Sequence, residues 1–119
     1  MIYGIGTDII EIDRIANAIE NTGFCKRFFS EEENLYFLKK HNHPQTIAGN
    51  FAAKEAFSKA LGTGFRNISL KDISVLRDSL GKPYIKFSEN LNLSVDEKKV
   101  FVSISHSNSY AVAYVVIEK

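Results

Sequence analysis

The chain opens on a nearly apolar run from Ile2 to Ile10, broken only by Tyr3, two glycines and the pair Thr7-Asp8. That density of apolar residues predicts a buried strand. At Glu11 the period changes. Ile12, Ile15, Ala16 and Ile19 recur at helical spacing, and Asn21-Thr22-Gly23 supplies a stop. Ser30 followed by Glu31, Glu32 and Glu33 is a capping box: the hydroxyl accepts from an amide of the first turn, and the carboxylate three residues on returns the bond. The helix it opens carries Leu35 and Leu38 and ends in the loop from Lys39 to Pro44. Thr46 to Leu61 is the clearest helix, rich in alanine and closing at Gly62-Thr63-Gly64.

Beyond this point the pattern is mainly strand. Ile73 to Arg77 and Tyr84 to Phe87 flank the turn Ser79-Leu80-Gly81-Lys82-Pro83. Asn90 to Lys98 reads as a short polar helix or loop. Val100 to Ser105 alternates, with Val100, Val102 and Ile104 on one side, and Ala111 to Ile117 is continuously apolar. His106 to Tyr110 joins the two as a hairpin loop. One strand, three helices and then several strands predict a single α+β domain over residues 1–119 with a largely antiparallel sheet.

Composition narrows the class. A chain of 119 residues with 45% hydrophobic and 24% charged positions fits one globular domain. Fifteen basic against fourteen acidic residues give a net charge of +1, so no global field favours nucleic acid. Cys25 is the sole cysteine, which excludes an internal disulfide and lacks the spacing of a zinc site; it reads as a structural or surface thiol rather than a nucleophile. The N-terminal run turns acidic after Ile10 and lacks the basic segment and cleavage site of a secretion signal. No segment approaches the roughly 20 apolar residues of a membrane span, so a cytoplasmic protein with no membrane association is expected.

Three places carry candidate chemistry. In Gly4-Ile5-Gly6-Thr7-Asp8 a carboxylate emerges from a strand just after two glycines. It is either the N-cap of the following helix or a ligand, since an acid leaving a buried strand needs a cation or donors nearby. In Phe51-Ala52-Ala53-Lys54-Glu55-Ala56-Phe57-Ser58-Lys59, Glu55 and Lys59 lie four apart beside Ala48 and Ala52. They form either an ordinary ion pair worth about 0.3–0.5 kcal/mol, or a metal ligand and a phosphate contact on a face bare enough for close approach. Gly62-Thr63-Gly64 then offers backbone amides to an anion. In Ser103-Ile104-Ser105-His106-Ser107-Asn108, His106 is a hydrogen-bonded turn residue, a phosphate donor or a general base. Arg14, Lys26 and Arg27, with Phe28 and Phe29 exposed beside them, form a basic patch for an acidic partner.

Taken together, these segments resemble the holo-acyl-carrier-protein synthases, the small bacterial members of the 4′-phosphopantetheinyl transferase superfamily. The likeness runs through Gly4 to Ile9, Phe51 to Lys59 with Gly62-Thr63-Gly64, Gly81-Lys82-Pro83-Tyr84, and Ser103 to His106. It implies transfer of 4′-phosphopantetheine from coenzyme A to a serine of an acyl carrier protein, in support of fatty acid biosynthesis. It also implies a homotrimer with active sites between subunits. Asp8 and Glu55 match the acids that bind Mg²⁺, and Lys59 matches a lysine assigned to phosphate contact or proton transfer. His106 matches a histidine reaching the coenzyme A of a neighbouring subunit. Ser58, Gly62 and Pro83 match positions lining the nucleotide, and Arg14 a residue facing the carrier. The serine's general base is either Glu55, through a metal-bound water, or His106.

The chain departs from the family at Asn50, where many members carry an arginine credited with a phosphate contact, and at Asn21 and Thr22, where positive charge is common. The second departure shifts carrier docking toward Lys26 and Arg27. A non-catalytic nucleotide-binding module would bind coenzyme A without turnover, and a metal-dependent phosphohydrolase would need more metal ligands than the sequence offers.

Overall fold

A computed structural model describes residues 1–66 and 68–119. The first strand, β1 (Ile2–Glu11), runs directly into α1 (Ile12–Ala18). A short α2 (Phe24–Phe28), α3 (Glu31–Lys39) and the long α4 (Pro44–Leu61) follow. The strands β2 (Ile73–Arg77), β3 (Pro83–Phe87), β4 (Val100–His106) and β5 (Tyr110–Glu118) complete the chain. The architecture is α+β, as expected, but its strands divide into two antiparallel sheets: three strands in the order β1-β5-β4, and the pair β2-β3. Residues 90–98 form no regular helix beyond a single 3₁₀ turn at Glu97–Lys99.

The predicted helix starts hold well where capping chemistry set them. Ser30 accepts from the Glu33 amide at 3.2 Å, and the Glu33 carboxylate accepts from the Ser30 amide at 3.1 Å. The α4 helix starts two residues earlier than the alanine pattern indicates, because Pro44 occupies its first turn, where a missing N–H costs nothing. It closes on Gly62 at φ 81°, a left-handed conformation natural to glycine. The α2 helix was not expected. Its five residues carry too little periodicity to register, and tertiary packing stabilises it.

The expectation of a buried β1 is corrected. The strand alternates, with Gly4, Gly6, Asp8 and Ile10 turned toward α4, and Ile2, Tyr3, Ile5 and Ile9 exposed. Its partners behave alike: Tyr110 and Tyr114 on β5 and Phe101 on β4 are exposed. In register, Ile5, Val116 and Phe101 form one row of this outer face, and Thr7, Tyr114 and Ser103 the next. The sheet is thus covered by α4 on one side and presents an apolar, open face on the other. The exposed aromatics expected after Arg27 are corrected too. Phe29 is buried beside Phe24 and Phe51, with Phe37 edge-on at 4.9 Å, and Phe28 is half-buried against Phe24 and Phe51. Conversely, Leu35 and Leu38 point outward, and α3 buries Glu33 and Phe37 instead.

Among the described residues no helix is long and apolar enough to cross a membrane.

Candidate active site

The site forms where α4 crosses β1. A Cβ at Gly4 would land on the carbonyl oxygen of Ala60, and one at Gly6 on that of Ala56. The two glycines therefore let the strand lie against helix backbone, with Ala52, Ala56 and Ala60 as the facing stripe. Two residues further along the same face of β1 stands Asp8, partly buried. It is four residues short of α1, whose N-cap is Glu11, so the helix-cap role is excluded.

Lys59 reaches across from α4. Its ammonium donates to the Thr7 carbonyl at 2.9 Å and lies 3.3 Å from Asp8 Oδ1. No Glu55–Lys59 ion pair occurs among the described residues, so the intrahelical reading of that spacing is replaced by a helix-to-strand contact. Burial, and then the Asp8 carboxylate nearby, raise the pKa of Glu55 above the ordinary glutamate value, while Lys59 opposes the shift. Two carboxylates from different elements repelling each other, with one lysine beside them, make a pair that a divalent cation would neutralise. No third acid, histidine or cysteine joins them among the described residues. That donor set fits a hard cation that keeps most of its shell for water and ligand oxygens, as Mg²⁺ does.

The other expected residues lie at varying distances. Ser58 is buried one turn from Glu55, and its hydroxyl donates to the Glu55 carbonyl at 2.8 Å. Gly62 terminates the same helix, but its amide donates to the Lys59 carbonyl at 3.1 Å and that of Gly64 to Ser58 at 3.3 Å. The expected anion cradle from these two amides is corrected: both close the helix. His106 ends β4 on the face shared by Ala111 and Ile10, two strands away from β1. Its turn is held by Ser107, whose hydroxyl accepts from the amides of Ser109 and Tyr110, so the imidazole is not the hydrogen-bonded turn residue. It is exposed and has no hydrogen-bond partner among the described residues. Pro83 opens β3, in a shallow groove with Tyr84, Lys98 and Phe101. The structure therefore joins Asp8, Glu55, Lys59 and Ser58, and leaves His106 and Pro83 apart from them.

One buried partnership escaped the sequence reading. Lys54 and Glu33 form a fully buried ion pair beneath α4. Asn50 is equally buried, donating to Glu33 Oε2 and to the Val75 carbonyl, both at 2.9 Å. The concern over a lost phosphate contact at position 50 is thereby recast, since this side chain faces the core. A lysine inside an alanine helix was the available signal, but a capping glutamate gave no hint of a second partner.

A large groove of about 730 Å³ lies elsewhere, lined by Cys25, Lys26, Phe29, Asn34 and Lys71 among others. The acidic pair itself is half-buried, at the seam between α4 and β1.

Against this geometry, the chain matches the 4′-phosphopantetheinyl transferase superfamily over residues 4–115. It is 56% identical to a holo-(acyl-carrier-protein) synthase of Clostridium botulinum, over 99% of this chain and 98% of that protein. A namesake from Alkaliphilus metalliredigens is 55% identical over 98% of each. The fold is also that of a Bacillus anthracis holo-(acyl-carrier-protein) synthase in complex with CoA (3′,5′-ADP), with a TM-score of 0.84, 41% identity, and coverage of 100% of this chain and 98% of that one. A Neisseria meningitidis synthase superposes with a TM-score of 0.91 at 37% identity, each chain covered in full. The chain belongs to the 4′-phosphopantetheinyl transferase superfamily. Its relatives there are the small holo-(acyl-carrier-protein) synthases.

Proposed function

We propose that this protein transfers 4′-phosphopantetheine from coenzyme A to a serine of an apo-acyl carrier protein, releasing adenosine 3′,5′-bisphosphate. The observation that carries the reading is the meeting of Asp8, Glu55 and Lys59 on a seam stripped to glycine and alanine. Asp8 and Glu55 would hold Mg²⁺, which supplies positive charge to the pyrophosphate oxygens. Lys59 already spans the gap from α4 to β1 and is 56% exposed at its side chain, so it can turn from Asp8 to an arriving phosphate. Ser58 and Gly62 border the nucleotide on the same helix.

The partner's serine hydroxyl supplies the nucleophile. Its proton passes to a base, Glu55 through water or His106, as its oxygen bonds to the β-phosphorus; the bond to the bridging oxygen breaks, and the bisphosphate leaves with the added negative charge. Positive groups aimed at that charge stabilise the transition state more than the ground state. Arg14, Lys26 and Arg27 are exposed on α1 and α2 and offer an acidic carrier its docking charges.

The working unit is a homotrimer in the cytoplasm, serving fatty acid biosynthesis. Its support is twofold: an open apolar sheet face, with Ile5 65% and Tyr114 58% exposed, and the separation of His106 and Pro83 from the acidic pair. A second subunit seated on that face would bury it, and a site shared across the subunit boundary would draw His106 and Pro83 from the neighbouring chain.

Mass spectrometry of an apo-acyl carrier protein incubated with this protein, coenzyme A and Mg²⁺ tests the activity. The carrier should gain one phosphopantetheine, and EDTA should abolish the gain. No gain at saturating coenzyme A rejects the transferase reading. Mixing inactive Glu55→Gln with inactive His106→Ala chains should restore turnover if sites are shared; mixtures as inactive as their parts reject the sharing.

A further inference from the structure

Three residues buried beneath α4 carry an inference that rests on the metal reading just given. The Lys54 ammonium pairs with Glu33 Oε1 and donates to the carbonyls of Phe28 at 3.0 Å and Leu70 at 2.9 Å. It also lies 4.8 Å from the centre of the Phe29 ring. Glu33 accepts from the Ser30 amide and from Asn50, and Asn50 in turn reaches the Val75 carbonyl of β2. One ammonium and one amide on α4 are thereby tied to the end of α2, the first turn of α3, the segment before β2 and β2 itself.

Lys54 is the immediate neighbour of Glu55. Consecutive side chains on a helix point about 100° apart. Fixing the direction of Lys54 therefore fixes the direction in which Glu55 leaves the helix, and that of Lys59 one turn later. Apolar packing would fill the same space without this constraint, because it has no preferred direction. Charge-assisted hydrogen bonds to three elements, with a neutral amide bond to a fourth, do have one. Stability alone does not explain the choice, since replacing a buried ion pair by apolar residues is often neutral or favourable.

We propose that the Lys54–Glu33–Asn50 cluster positions the metal-binding helix, setting the rotation of α4 so that Glu55 closes on Asp8. Lys54 and Glu33 are positioning residues and touch neither metal nor substrate. The cluster also joins α2, with Lys26 and Arg27 on its outer side, to the helix that bears Glu55.

Mn²⁺, a paramagnetic replacement for Mg²⁺, tests this by electron paramagnetic resonance titration of the parent chain, the double variant E33Q/K54M and Lys54→Arg. Each is measured at a temperature where circular dichroism shows it folded. A positioning role predicts Mn²⁺ affinity weakened about tenfold in the double variant, with kcat reduced and KM for coenzyme A unchanged. Lys54→Arg keeps the charge but not the ammonium's three directions, and should weaken Mn²⁺ about threefold, on the lower side of such effects. Parent-like Mn²⁺ affinity in the folded double variant overturns the proposal, as does parent-like affinity in Lys54→Arg should the double variant not fold. Absence of Mn²⁺ binding by the parent chain itself rejects the metal reading, and this inference with it.

Discussion

Lys54 and Lys59 sit five residues apart on one helix and both meet a carboxylate, yet they do opposite work. Lys54 is wholly enclosed. Burial pushes its ammonium pKa down and that of its partner Glu33 up, while their contact opposes both shifts. Every direction around Lys54 is occupied by an oxygen or an aromatic ring, so it is held. Lys59 touches one carboxylate oxygen and one carbonyl and is otherwise in solvent, so it is free to exchange partners. The same residue type becomes a structural tie or a movable cation according to how many partners surround it and how much water reaches it.

Substitutions at the two lysines should separate these roles. Lys54→Met leaves Glu33 as an uncompensated buried charge and strips the carbonyls of Phe28 and Leu70, which should cost about 3–5 kcal/mol in urea denaturation. Lys59→Met should change stability by less than about 1 kcal/mol, because exposed pairs contribute little. In transfer to the carrier it should nonetheless lose about 10²–10³-fold in kcat. Equal stability losses at both positions would erase the distinction.

Gly6→Ala breaks the comparison from the strand side. Its methyl group meets the Ala56 carbonyl and pushes β1 off α4, moving Asp8 away from Lys59 while sparing the Lys54–Glu33 pair. A loss of about 1–3 kcal/mol is expected, together with weakened metal affinity. Wild-type Mn²⁺ binding in that variant would show that the helix-to-strand distance does not set the site.

The smallest effect concerns pH. The Glu55 carboxyl is raised above its ordinary value, so between that value and the raised one the folded chain binds more protons than the unfolded chain. Metal-free stability should therefore fall as pH rises through this window, and Mg²⁺ affinity should rise over the same range as the proton leaves. Melting temperatures with EDTA, recorded across pH, should fall more steeply in the parent than in Glu55→Gln, whose remaining slope comes from Glu33, also raised by burial.

Much of the fold was legible in the chain because local rules governed it. The capping box at Ser30, the glycine stop at Gly62 and the alternation from Val100 each act within a few residues, and each element appears within two residues of its expected place. The candidate site residues Asp8, Glu55 and Lys59 were likewise visible, as polar groups set among small ones. What the sequence could not determine is which partner each charge takes. Glu33 reads as a helix cap and is also the counter-ion of Lys54, twenty-one residues on. Lys59 reads as the partner of Glu55 and instead reaches Asp8, fifty-one residues back. Nor did an apolar run reveal that only one face of β1 would be covered. These choices depend on which elements pack together, and packing follows from burial summed over the whole chain, whereas caps, turns and periodicity are settled by near neighbours.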